Sequence, residues 1–149
     1  MLVGAKPSPN MRASILYRIS SVLIVLYALG HTLGFRQTDP SWGVDQTLAV
    51  LKRTTFHVQG FDRTYYGFYL GFGLFVTVFL LFTAVVAWEL GRLPEATLAQ
   101  LPWLRWGLAL CYAGSLFLGL RYFFMAPVIF SAVIFLFLAA AAAVAGRQH

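Results

Sequence analysis

Phe68-Tyr-Leu-Gly-Phe-Gly-Leu-Phe-Val-Thr-Val-Phe-Leu-Leu-Phe-Thr-Ala-Val-Val-Ala-Trp88 contains no charged residue. As a helix it is roughly 30 Å long at about 1.5 Å per residue, enough to cross the hydrocarbon core of a bilayer. Three further apolar runs of similar length accompany it, and the fold follows from the four together. The sequence predicts membrane spans over about 14–35, 65–89, 103–120 and 128–144, with an extramembrane segment over 36–63, in a single membrane domain. The expected fold is all-α: an antiparallel up-down bundle of four transmembrane helices with an interfacial amphipathic helix between the first two.

Composition supports the same class. Of 149 residues 60% are hydrophobic and only 11% charged, where a soluble domain has about a quarter charged. The net charge of +6 is spread over the ends of apolar runs and forms no block that would track a phosphate backbone, so nucleic acid is not an expected partner. Membrane lipid is the natural counter-charge. A single cysteine, Cys111, excludes an intramolecular disulfide and any CxxC redox pair.

Residues 1–11 carry Lys6, Pro7 and Pro9 without apolar periodicity and read as a short lead. Ala28-Leu29-Gly30 resembles a signal-peptidase site, but we expect the first span to be retained as a membrane helix. On it Tyr17, Ser20, Ile24, Tyr27, His31 and Gly34 recur at three- and four-residue steps and share one face. Val22, Leu23, Val25, Leu26 and Leu29 occupy the lipid side. Arg18 is expected to snorkel to the interface.

Between Arg36 and Arg63, Val44, Leu48, Leu51, Thr55 and Val58 repeat at helical steps while Asp45, Gln46, Lys52, Arg53 and Gln59 fall elsewhere, the pattern of an amphipathic surface helix. Asp39-Pro40-Ser41 predicts a turn before it and Gly60 a stop after it. Residues 91–102 read as a short polar turn. On the third span Gly107, Cys111, Ser115 and Gly119 stand four apart, a small-residue seam against which a second copy or a membrane partner could pack.

In an up-down topology both termini share one side. Lys6, Arg12, Arg18, Arg92, Arg105 and Arg147 fall there, and Arg36, Lys52, Arg53, Arg63 and Arg121 opposite, a slight excess that puts the termini in the cytoplasm. The opposite side gathers His31, His57, Asp62, Arg63, Tyr66, Tyr69 and Arg121. An ionisable group in a membrane helix is costly unless it faces protein or water. His31 is therefore the candidate acid or base, with Tyr27 one turn earlier to orient it. Arg63, Arg121, Tyr66, Tyr69, His57 and Asp62 are candidates for holding the polar head of a lipophilic ligand such as a lipid, quinone or sterol-like molecule. The alternative is a non-catalytic accessory or assembly subunit of a larger membrane complex.

No cofactor is expected. Haem b on His31 and His57 is the less favoured alternative, and the absence of HxxxH, HxxE or clustered cysteines argues against a metal centre.

Gly30-His-Thr-Leu-Gly34 and Asp62-Arg-Thr-Tyr-Tyr-Gly-Phe-Tyr-Leu-Gly-Phe-Gly73 resemble a group of small bacterial four-helix inner-membrane proteins of unassigned function. That resemblance covers nearly the whole chain and implies the fold and a bacterial inner-membrane location, with no catalytic assignment. The chain also has the size of the membrane glutathione-transferase and leukotriene-synthase group, but it lacks that group's arginine-centred glutathione motif.

Overall fold

The computed structural model describes residues 11–146; the lead over residues 1–10 and the final residues, with Lys6 and Arg147, lie outside the described residues. Among the described residues the elements run α1 (Met11–Gly34), a 3-10 turn (Pro40–Trp42), α2 (Asp45–Arg53), β1 (Thr55–Val58), β2 (Phe61–Thr64), α3 (Tyr65–Leu90), α4 (Glu95–Ala99), α5 (Pro102–Tyr122) and α6 (Met125–Ala145). The helices α1, α3, α5 and α6 are each long and apolar enough to cross a membrane. The chain is therefore all-α in class, with one small hairpin. Its contacts divide it into two compact units, Met1–Tyr27 with Leu80–His149, and Ala28–Phe79.

In the larger unit the core is built from one face of each long helix. Tyr17 and Ile24 of α1, Ala84 and Ala87 of α3, Leu108, Ala109 and Tyr112 of α5, and Ile134, Leu138 and Ala141 of α6 are buried together, with Leu98 of α4 beneath them. The predicted α1 stripe is borne out here for Tyr17, Ser20 and Ile24, which are fully buried, and Val22, Val25 and Leu26 are exposed, whereas Leu23, expected on the lipid side, is half-buried against the core. Hydroxyls join the helices within this core. Ser14 donates to the Gly91 carbonyl, Ser21 donates to the Ala84 carbonyl at 2.8 Å, and the Tyr112 and Thr83 hydroxyls lie 2.8 Å apart. In an apolar setting such bonds tie helices that hydrophobicity alone would not.

Four expectations are corrected in this unit. The turn over 91–102 contains the short α4, because Pro94 leads into a helix-compatible Glu-Ala-Thr-Leu-Ala run. The last helix begins at Met125, with Pro127 inside its first turn, where a missing N–H costs nothing. The α5 seam divides: Gly119 is buried against Val128 of α6, whereas Cys111 and Ser115 are exposed. Arg105, expected as an ordinary flanking charge, is only 4% exposed.

The smaller unit holds the end of α1, the 3-10 turn, α2, the hairpin and the first half of α3. Helix α2 ends at Arg53, so the amphipathic helix is shorter than its apolar period suggests. Thr55 and Val58 lie on β1, paired with Thr64 and Phe61 of β2. The β-branched and aromatic run Thr54-Thr-Phe-His-Val58 favours a pleated strand. Gln59 and Gly60 both adopt positive φ, 51° and 83°, and close the hairpin. Gly60 is thus a hairpin turn and not a helix stop.

Candidate functional site

Strand β2 runs directly into α3, and the junction is capped locally: the Gly67 amide donates to the Thr64 hydroxyl at 2.9 Å. The cap closes the first turn of α3 where the strand runs into it, and helical periodicity then decides the faces on which its tyrosines and glycines fall. At about 100° per residue, Tyr66, Tyr69 and Gly73 share one face, while Gly67, Phe68, Gly71, Phe72 and Phe75 lie on the opposite one. Each face borders a groove.

The first groove, about 260 Å³, is lined by Phe35, Arg36, Gln37 and Thr38 after α1, by Trp42, by Val44, Thr47, Leu48 and Leu51 along α2, and by Tyr66 and Tyr69. Amphipathicity places α2 here. Its half-buried Val44, Leu48 and Leu51 form a wall, while Asp45, Lys52 and Arg53 remain exposed. The turn that brings Trp42 into the lining is held by Asp39, whose carboxylate accepts from the Ser41 amide at 2.8 Å. Bonding from the Ser41 hydroxyl and amide holds the Asp39 carboxyl below its ordinary range.

His31 stands one ring behind this groove. Its Nε2 is 3.0 Å from the Gly73 carbonyl oxygen, and since a carbonyl only accepts, Nε2 carries the hydrogen. In the neutral ring Nδ1 is then the basic nitrogen. The imidazole stacks on Phe35 at 5.1 Å, Phe35 meets Tyr69 edge-on at 6.0 Å, and the Tyr69 hydroxyl donates to the Phe35 carbonyl at 2.9 Å. Tyr69 neighbours Tyr66, and the Lys52 ammonium lies 5.1 Å over the Tyr66 ring. An unbroken file of rings thus leads from His31 to a cation on α2. Thr32, beside His31, bonds the Thr77 hydroxyl at 2.8 Å.

The second groove, about 350 Å³, is lined by Phe56, Val58, Gln59, Phe61 and Arg63 of the hairpin and by Gly67, Phe68, Gly71, Phe72 and Phe75 of α3. His57 and Asp62 are cross-strand partners, and the His57 Nδ1 donates to the Asp62 carboxylate at 2.8 Å, both side chains largely exposed. Arg63 donates to the Asp62 backbone carbonyl at 2.8 Å, and its guanidinium lies 5.0 Å over the Phe61 ring.

The polar residues expected as one cluster are therefore sorted. His31, Tyr66 and Tyr69 belong to the first groove and its backing, and Arg63 to the second, with the His57–Asp62 pair on the hairpin beside it. Tyr27 and Arg121 belong to the other unit, where Tyr27 stacks on Phe130 at 5.3 Å and Arg121 lies 5.7 Å from the Tyr122 ring.

Sequence reasoning missed Phe35, Trp42 and Lys52. The signal for Phe35 was the crowding of glycines at 71 and 73: a Cβ on Gly73 would collide with three atoms of the Phe35 ring, so the ring occupies space that only glycine leaves. It also missed Arg105. That guanidinium donates to the Ala142 and Ala99 carbonyls, each at 3.3 Å, at the ends of α6 and α4. There it complements the negative ends of the helix dipoles.

Among the described residues no three His, Cys, Asp or Glu side chains come together in a way that could hold a metal ion. Comparison of the chain with protein-family models, curated proteins and solved structures gives no match.

Proposed function

We propose that this is an integral membrane protein whose four long helices cross a bacterial inner membrane in alternating directions, with α2 lying at the interface and the termini in the cytoplasm. We further propose that the groove between α2 and the tyrosine face of α3 takes a lipophilic molecule with a polar head, of the lipid, quinone or sterol-like class. The observation that carries this reading is the lining itself: Phe35, Trp42, Leu48, Leu51, Tyr66 and Tyr69 form an aromatic and aliphatic wall, with Arg36 and Gln37 at its edge. A few polar groups over an apolar concavity suit such a ligand.

In this reading Arg36 and the Tyr66 hydroxyl hold the head group, and the apolar body lies along α2. His31 acts from behind Phe35, and a proton reaching its Nδ1 would have to pass the edge of that ring. Acid–base chemistry at His31 therefore requires Phe35 to move, whereas simple binding does not. Tyr27 is retained as the candidate to orient His31, and Arg121 as a candidate for holding a lipid or ligand head group.

The test is native mass spectrometry of the protein from mild detergent, with an absorbance spectrum of the same sample. A retained apolar molecule that Trp42→Ala releases without unfolding the protein supports the reading. A wild-type protein that carries no such molecule, and gains none from added quinone or lipid extract, refutes it. A Soret band would instead indicate haem b on His31 and His57.

The second reading, a non-catalytic accessory or assembly subunit, is favoured by one observation: Cys111 and Ser115 of α5 are exposed on a long apolar helix. Small side chains there would let a partner helix or a second copy approach closely. Co-purification of a stoichiometric membrane partner, unaffected by His31→Ala, would support it.

A further inference from the structure

The second groove differs from the first in kind. Gly67 and Gly71 stand one helical turn apart and leave a trough on α3. An added Cβ at Gly71 would meet nothing within 4 Å, and at Gly67 only the Thr64 hydroxyl. The trough is flanked by rings that brace one another: Phe56 against Phe68 at 5.8 Å, and Phe68 against Phe72 at 4.7 Å. From Gly67 to Phe75 it extends for roughly 12 Å at about 1.5 Å per residue. Only Arg63 and Gln59 bring polar side chains to the lining.

Arg63 lies at one end, two residues before α3 begins. The adjacent carboxylate, Asp62, is engaged with His57 on the neighbouring strand. Among the described residues the Arg63 side chain makes no ion pair, and the hydrogen bond it donates goes to a backbone carbonyl. The site thus offers one guanidinium that is in no ion pair among the described residues, above a narrow apolar trough. One cation at the end of an otherwise apolar lining matches a molecule with an anionic head and a hydrocarbon tail.

We propose that this groove binds an anionic phospholipid, with its phosphate on Arg63 and one acyl chain along Gly67 and Gly71 between Phe68, Phe72 and Phe75. The inference rests on α3 crossing the membrane, which puts Arg63 at headgroup level, and is independent of the ligand proposed for the first groove. Guanidinium suits phosphate because its planar fork can donate two parallel bonds.

The test uses the full chain in mild detergent, titrated with dioleoylphosphatidylglycerol or dioleoylphosphatidylcholine and read by native mass spectrometry. The wild type is expected to retain one phosphatidylglycerol in preference to phosphatidylcholine. Arg63→Gln should reduce that preference about fivefold, and Gly71→Leu, which fills the trough, should remove that phosphatidylglycerol while leaving any ligand of the first groove in place. Gly71→Ala checks that the position accepts a side chain without unfolding. Arg53→Gln removes an equal charge from the exposed end of α2, outside both grooves, and should leave the preference unchanged. The proposal is overturned if Arg63→Gln leaves the preference intact, if Arg53→Gln lowers it equally, or if Gly71→Leu keeps the wild-type adduct. It is also overturned if Gly71→Leu abolishes a dimer instead of a lipid adduct, since the groove would then be a protein interface.

Discussion

Gly73→Ala should loosen the site from behind without touching a ligand. A methyl group at this position runs into the Phe35 ring, which is held on its other sides by His31 and Tyr69. Overpacking of this kind costs about 1–3 kcal/mol, while replacing a mid-helix glycine with alanine returns roughly 0.5–1 kcal/mol. The net is a loss of up to about 2.5 kcal/mol from these two terms. Two residues earlier, Gly71→Ala meets no neighbour within 4 Å and should realise only the gain. The two substitutions are chemically identical, so their difference isolates the Phe35 contact. Unfolding in detergent by graded denaturant, followed by tryptophan fluorescence, should move the two midpoints in opposite directions. In a Phe35→Ala background the penalty of Gly73→Ala should vanish, a coupling of about 1–3 kcal/mol for groups in direct contact. If both glycine variants shift stability equally, or if Phe35→Ala does not relieve Gly73→Ala, the packing of Phe35 on Gly73 is wrong and His31 has no fixed backing.

Arg105→Ala should destabilise the protein by about 2–4 kcal/mol, because it strips charged donors from two carbonyls. Arg105→Lys should rescue only part of this, since one ammonium cannot reproduce the fork; denaturant midpoints of the three proteins check both. His31→Ala should cost about 1 kcal/mol through the lost bond to Gly73, and a midpoint unchanged from wild type would contradict that bond. Gly60→Ala forces a Cβ into the left-handed region at φ 83° and should cost about 1–2 kcal/mol of hairpin stability, visible as weaker amide-exchange protection across β1 and β2. Asp39 has its folded-state pKa depressed by Ser41. Its contribution to the turn is therefore present above the unfolded value and lost as pH falls through the folded one, so the Ser41 amide resonance should titrate with a midpoint below that of an ordinary aspartate.

The long helices were legible because each apolar run exceeds what a soluble core would hold, and the predicted ends fall within three residues of those observed. The buried stripe Tyr17-Ser20-Ile24 and the groove-facing Val44-Leu48-Leu51 followed from periodicity alone. Other features depend on partners that periodicity does not see. Thr55 and Val58 continue the helical spacing of α2, yet they sit in a β-branched run ahead of a Gln-Gly turn, and strand pairing with residues 61–64 prevails over the spacing. Arg105 resembles any basic residue near a helix start. It is buried because the carbonyl ends of α4 and α6 arrive beside it, and the α6 carbonyl is 37 positions away. The cluster expected around His31 was inferred from a shared end of the helices, whereas rotation about the α3 axis decides which of those residues meet.

That rotation gives the run Tyr65-Tyr-Gly-Phe-Tyr-Leu-Gly-Phe-Gly73 two meanings. Gly73 falls with Tyr66 and Tyr69, and the space it leaves is filled from within the unit by Phe35, so this glycine packs His31 into place. Gly67 and Gly71 fall on the other face, where no side chain of the described residues fills the space at Gly71 and the flanking phenylalanines are exposed. One residue type thus secures an internal contact on one side of α3 and maintains an external groove on the other. A phase error of two residues, about 200° on the helix, would exchange the two. The Thr64 cap closes the turn of α3 from which both faces begin. Thr64→Val, which keeps the shape and removes the acceptor for the Gly67 amide, should weaken lipid retention at Arg63 and the His31–Phe35 packing together.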